Sequence, residues 1–157
     1  MSSLVVYYSR KGTTRKIGEL ISNEAEWEFE EIIDIKKRKG FIGFLKSGKD
    51  ATFKKLADIK EIQKNPELFD LIILGTPIWN RRMTPAIRTY ITEFKNKIKD
   101  VAFFCTEGGS GGQKTFDSME NLCEKTPIST LEITKNDIKN GDHKDKIKKF
   151  IQDLKAN

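Results

Sequence analysis

Three short stretches of this chain combine residue types that suit a ligand. The first is Ser9-Arg10-Lys11-Gly12-Thr13-Thr14. A turn of this kind at the start of a helix exposes backbone N–H groups and the positive end of the helix dipole. Gly12 lets the backbone curl toward a ligand, Ser9, Thr13 and Thr14 offer hydroxyls, and Arg10, Lys11 and Arg15 add positive charge. All of this favours a phosphate. The spacing is neither that of a Walker A loop nor G-x-G-x-x-G. A plain N-capped helix with a polar turn is the alternative. The second stretch, Gly75-Thr76-Pro77-Ile78-Trp79-Asn80-Arg81-Arg82-Met83, carries a Trp that could serve as a platform for a flat ring, or could fold back over a sheet edge. The third, Thr106-Glu107-Gly108-Gly109-Ser110-Gly111-Gly112, holds four glycines, so its backbone can approach a ligand directly. It could equally be a mobile connector.

The elements that must position these loops follow from hydrophobic patterning. Leu4 to Tyr8, Glu28 to Ile35, Leu71 to Leu74, Val101 to Cys105 and Ile128 to Ile133 read as strands. The continuous apolar runs among them suit strands buried on both faces of a parallel sheet. Helical spacing follows in Ile17, Leu20 and Ile21, in Met83, Ile87, Tyr90, Ile91 and Phe94, and in Phe116, Met119, Leu122 and Cys123. It recurs in Ile147, Phe150, Ile151 and Leu154, with Asp142 as a candidate N-cap. Pro85 suits a first helical turn, and Gly18 would let the first helix sit close to the sheet. Phe41 to Leu56 is ambiguous between a short helix and an aromatic-rich loop. Strand and helix alternate, so the expected fold class is α/β: a doubly wound, open parallel sheet with helices on both faces, in one domain over 1–157. Such sheets bind ligands beyond the carboxyl ends of their strands, where all three loops fall.

On these residues the chain resembles the flavodoxins. Val5-Val6-Tyr7-Tyr8-Ser9-Arg10-Lys11-Gly12-Thr13-Thr14, continuing to Ile21, is similar to their N-terminal FMN-phosphate signature, with Gly18 where that signature usually carries Ala. Leu74 to Trp79 with Met83 to Arg88, and Phe103 to Gly111, look like the second and third flavin loops. The resemblance implies a five-stranded sheet in order 2-1-3-4-5 of the short-chain type, and FMN as the cofactor. It implies that Ser9, Arg10, Lys11, Gly12, Thr13 and Thr14 hold the phosphate. Thr76, Pro77, Ile78, Trp79 and Asn80, together with Thr106, Glu107, Gly108 and Gly109, would flank the isoalloxazine, with Trp79 as the stacking residue. In such a protein the flavin carries the redox chemistry, so no catalytic side chain is expected. The implied function is an FMN-binding electron-transfer protein that shuttles electrons between redox partners. The alternative is an NAD(P)H- or quinone-dependent FMN oxidoreductase on the same fold. A response-regulator-like module needs an acidic pair after the first strand, where Tyr7-Tyr8-Ser9 stands instead.

Charge and composition bound the rest. The chain has 29 basic and 23 acidic residues, a net charge of +6, with 33% of residues charged. The lysines are dispersed and the run Lys36-Lys37-Arg38-Lys39 is short, so no nucleic acid is expected as a partner. A basic surface suits redox partner proteins with acidic surfaces. Typical flavodoxins are strongly acidic, and Arg81-Arg82 lies inside the flavin loop. A guanidinium ~8 Å from the ring, at an effective dielectric of ~20, favours the anionic, fully reduced flavin by roughly 2 kcal/mol, on the order of 90 mV. No apolar run approaches the roughly 18 residues of a membrane span and no signal-peptide pattern is visible, so a cytoplasmic location is expected, as a monomer or weak dimer. Cys105 and Cys123 have no zinc or disulfide spacing and read as buried thiols; no metal is expected. His143 reads as a surface residue.

Overall fold

In the computed structural model, residues 1–35 and 56–157 are described. Five parallel strands form one sheet in the order β2-β1-β3-β4-β5. They are β1 (Ser3–Tyr7), β2 (Glu28–Glu31), β3 (Leu71–Pro77), β4 (Asp100–Glu107) and β5 (Thr130–Thr134). Among the described residues the α-helices are α1 (Thr13–Ala25), α2 (Pro85–Phe94), α3 (Gly112–Cys123), α4 (Lys135–Asn140) and α5 (His143–Lys155). Strand order reverses direction at β1 and β3, where the loops after these two strands part and leave a crevice.

Alternation along the strands divides the apolar residues between two faces. Val5, Tyr7, Ile73, Ala102, Phe104 and Ile133 pack with Ile17 and Ile21 of α1 and with Ile147, Phe150 and Leu154 of α5. Leu4, Val6, Ile72, Leu74, Phe103 and Cys105 pack with Ile87, Tyr90 and Ile91 of α2 and with Phe116 and Met119 of α3. The helices therefore cover both faces, as a fully buried parallel sheet requires. Gly18 sits on the sheet side of α1, where an added Cβ would collide with the ring of Tyr7. The absent methyl is the space that lets the large aromatic ring end β1 under the helix.

Several boundaries differ from the expected ones, for identifiable reasons. The second strand stops at Glu31 rather than Ile35, because the chain turns to pair in the opposite sense. Asp34 bridges Ile59 antiparallel, with Ile35 N–H donating to Asp58 O and Lys60 N–H to Ile33 O, both at 2.9 Å. The fifth strand is displaced to Thr130–Thr134, and a short helix, α4, follows it directly. Its signal was the Thr134-x-x-Asp137 capping box: Asp137 N–H donates to Thr134 Oγ1 at 3.1 Å, and Thr134 N–H to Asp137 Oδ2 at 2.7 Å. Asp142 precedes α5 but its side chain caps nothing, since its backbone is already helical. His143 is buried, not on the surface, with Nδ1 3.3 Å from Asp137 O: α4 folds back over it. The stretch Phe41 to Lys55, like the Lys36–Lys39 run, lies outside the described residues; Leu56 is exposed.

Candidate functional site

At the carboxyl end of the sheet the tips of β1, β3, β4 and β5 enclose a cleft of about 270 Å³. Its floor is the turn into α1. Gly12 has φ 98°, the left-handed conformation that glycine adopts without strain. Gly12 N–H donates to Ser9 Oγ at 3.1 Å, which fixes the turn. No side chain caps α1 and no acidic residue stands in its first turn. The helix thus presents its N-terminal dipole to the cleft unneutralised.

The other two loops are bound to this floor. Thr14 Oγ1 and Thr106 Oγ1 share a buried hydrogen bond of 2.8 Å. Ile78 N–H donates to Thr106 O at 3.1 Å. Thr84 N–H donates to Thr76 Oγ1 at 3.1 Å, tying the start of α2 to the end of β3. Trp79 is held edge-on to Tyr8, ring centres 5.5 Å apart, and the Arg10 guanidinium lies 5.3 Å from its ring centre. A flat ring that stacks on that face of Trp79 must displace Arg10, at a cost of roughly 0.5–1 kcal/mol of cation–π attraction.

Of the residues expected from sequence, Ser9, Arg10, Lys11, Thr13 and Thr14 line the cleft, as do Pro77, Ile78, Trp79, Thr106, Glu107 and Gly108. Four do not. Gly12 shapes the turn behind the lining, Thr76 is fully buried beneath it, Asn80 sits in the turn after Trp79, and Gly109 lies out on the exposed third loop. Arg15 is turned away as well, donating to both carboxylate oxygens of Glu31 at 3.0 and 2.7 Å. Sequence reasoning missed Ile133, Lys135 and Ile138, which close the cleft from β5 and α4. Arg81 and Arg82 line a neighbouring groove instead of the cleft.

The cleft's one acidic wall is unusual. Burial raises the Glu107 carboxyl to about 7, and the adjoining Glu132 carboxyl adds to the rise. Glu107 is 8% exposed and its Oε2 lacks a hydrogen-bond partner. Burial and the neighbouring carboxyl thus both weigh against a fixed negative charge on this wall. Cys105 and Cys123 are buried free thiols, and burial pushes Cys123 up to about 12. Among the described residues no cluster of three or more His, Cys, Asp or Glu could hold a metal, and no helix is long and apolar enough to cross a membrane.

The sequence matches the family described as Flavodoxin over residues 2–154. No curated protein matches it significantly. Among solved structures it is similar to a flavoprotein from Lactobacillus acidophilus in complex with FMN, with a TM-score of 0.74 at 21% identity over 88% of this chain and 97% of that one. A protein from Bacteroides uniformis gives 0.76 at 22% identity, over 94% and 97%. The two-electron reduced flavodoxin of Megasphaera elsdenii gives 0.58 at 18%, over 95% and 97%. The five-stranded 2-1-3-4-5 sheet is the fold these proteins share.

Proposed function

The chain belongs to the flavodoxin family, and on that premise we propose that it binds FMN in the cleft and carries electrons between redox partners. The observation that carries this reading is the uncapped N-terminus of α1 opening onto a cleft that Trp79 also lines. An anion there satisfies first-turn N–H groups that no side chain reaches. The residues fit the group: Ser9, Lys11 and Thr13 line the cleft and would surround the phosphate, and Pro77, Ile78 and Trp79 would offer an apolar wall for a ring.

Bound FMN supplies reversible electron transfer; the protein supplies position and field. The Thr14–Thr106 and Ile78–Thr106 bonds join the three loops, so the backbone that would receive FMN is held together before binding, and Arg10 is the side chain that would have to move. Burial and the adjoining Glu132 carboxyl raise Glu107, so this wall would oppose a bound flavin with less negative charge than an ordinary carboxylate. Nothing in the cleft forms a nucleophile–base pair. The basic surface, +6 overall, suits partners with acidic faces.

The experiment is the visible spectrum of the purified protein, followed by denaturation and identification of the released chromophore. Flavin absorption with FMN release is expected; a colourless protein that does not take up added FMN overturns the reading. Sustained oxidation of NADPH by a quinone with the purified protein alone would replace the carrier by an oxidoreductase on the same fold.

A further inference from the structure

Beside the cleft, and sharing no lining residue with it, a groove of about 440 Å³ runs between α2 and α3. Arg81, Arg82, Arg88 and Lys114 line it, opposed by the single carboxylate of Asp117. Arg88 is the informative member. It stands in the second turn of α2, is 7% exposed, and its Nε and Nη2 are buried without hydrogen-bond partners. No salt bridge among the described residues involves it. Burial, and then the like charge of Arg82, lower its pKa. A guanidinium with two of its three nitrogens buried and unpartnered, placed beside another guanidinium, is unfavourable unless an anion completes the site.

The backbone that presents Arg81 and Arg82 is itself under strain. Asn80 and Arg81 have φ of 49° and 59° in a two-residue turn closed by Trp79 and Arg82. Trp79 N–H donates to Arg82 O at 3.0 Å and Arg82 N–H to Trp79 O at 3.1 Å. Asn tolerates this conformation, but Arg is disfavoured where glycine is the usual choice. The turn is braced by the third loop, since a Cβ on Gly111 would stand 2.9 Å from Arg81 Cα. Strain held by the surrounding structure, at a position that brings two arginines to one groove, is the pattern of a binding site.

We propose that the groove between α2 and α3 binds a phosphate-bearing small molecule, with Arg88 as the buried anchor and Arg81, Arg82 and Lys114 around it. Guanidinium forks match phosphate oxygens in geometry and charge. Three of them with an ammonium suit a dianion better than a single carboxylate. The groove is larger than one phosphate group, leaving room for an organic remainder. The recess of Arg88 favours a small molecule over the surface of a partner protein. The inference does not depend on what occupies the cleft.

The test is titration of the full-length 15N-labelled protein, with added FMN present, by inorganic pyrophosphate and separately by adenosine 2′,5′-bisphosphate, ionic strength being held with sodium chloride. Both should shift the Arg88 Nε–H resonance, and Arg88→Met should weaken binding at least tenfold. Lys114→Gln, at an exposed position, should weaken it severalfold without affecting folding, whereas Asp117→Asn should tighten it. Tighter binding of the bisphosphate supports an organic phosphate as the source; tighter binding of pyrophosphate supports an inorganic one. Shifts confined to residues 9–14, unchanged affinity in both Arg88→Met and Lys114→Gln, or tighter binding of a glutamate-rich peptide than of either phosphate would overturn the proposal.

Discussion

The cleft and the groove lie side by side at one end of the sheet, and they are made of different materials. The cleft attracts an anion with backbone: the turn at Gly12 and the uncapped start of α1. Its nearby cations are partly diverted, Arg15 to Glu31 and Arg10 to the ring of Trp79. The groove relies on side-chain charge, with Arg88 buried and unpaired at its base. A backbone site requires a contiguous loop of defined shape. A side-chain site can be assembled from residues on separate elements, and it leaves a desolvated charge when empty. The first kind is rigid before its ligand arrives; the second is unfavourable until it does.

If the cleft's floor is a phosphate site, the largest effect comes from removing the phosphate. Riboflavin should bind about 4 kcal/mol more weakly than FMN, roughly a thousandfold, because several charge-assisted hydrogen bonds disappear. Fluorescence titration of the two flavins measures this, and equal affinities would place the flavin elsewhere.

The acidic wall gives the next effect, in the FMN-free protein. Folding raises Glu107 from 4.5 to about 7, so between those values the folded state binds more proton than the unfolded one. Its stability is therefore undiminished below about pH 4.5 and falls as pH rises through 7. Glu107→Gln should be the more stable by up to about 3 kcal/mol at pH 8 and nearly equal to wild type at pH 4. Urea denaturation at both values decides it; a difference independent of pH would mean that the wall does not titrate. Trp79→Ala should weaken FMN by about 2 kcal/mol through lost ring contact, and an unchanged dissociation constant would remove Trp79 from the site.

On the groove side, Arg88→Met should raise stability in chloride buffer by about 1 kcal/mol, since it keeps the packing and deletes an unpaired buried charge. A lower melting temperature would show that the groove is not strained in the way the contrast requires. The smallest effect belongs to the bond joining the cleft's loops. Thr106→Val leaves Thr14 Oγ1 without its 2.8 Å partner and should lower stability by about 1 kcal/mol, the low end for a buried hydroxyl left unpartnered; double-mutant analysis with Thr14→Val isolates the bond from the two hydroxyls.

The contrast also explains what could be read in advance. Ser9 to Thr14, Pro77 to Trp79 and Thr106 to Gly108, all lining the cleft except Gly12, were legible because each is one uninterrupted run at the carboxyl end of a strand. Ile133, Lys135 and Ile138 were not, because the Thr134 capping box that turns the chain into α4 was hidden in what reads as the end of a strand. The groove was not legible either. Arg81, Arg88 and Lys114 are ordinary surface cations by type, and only the packing of α2 against α3 brings them to one place.

The sequence by itself determined the alternation of strand and helix, the two-faced burial of β1, β3 and β4, and the glycine turn at the head of α1, because hydrophobic period and backbone preference are local properties. Tertiary structure decided the rest. It turned Arg15 away from the cleft, set Arg10 over Trp79, buried His143, raised Glu107 and stranded Arg88. Each of these depends on desolvation and on charges contributed by residues distant in the chain, and such terms take a value only when the segments meet.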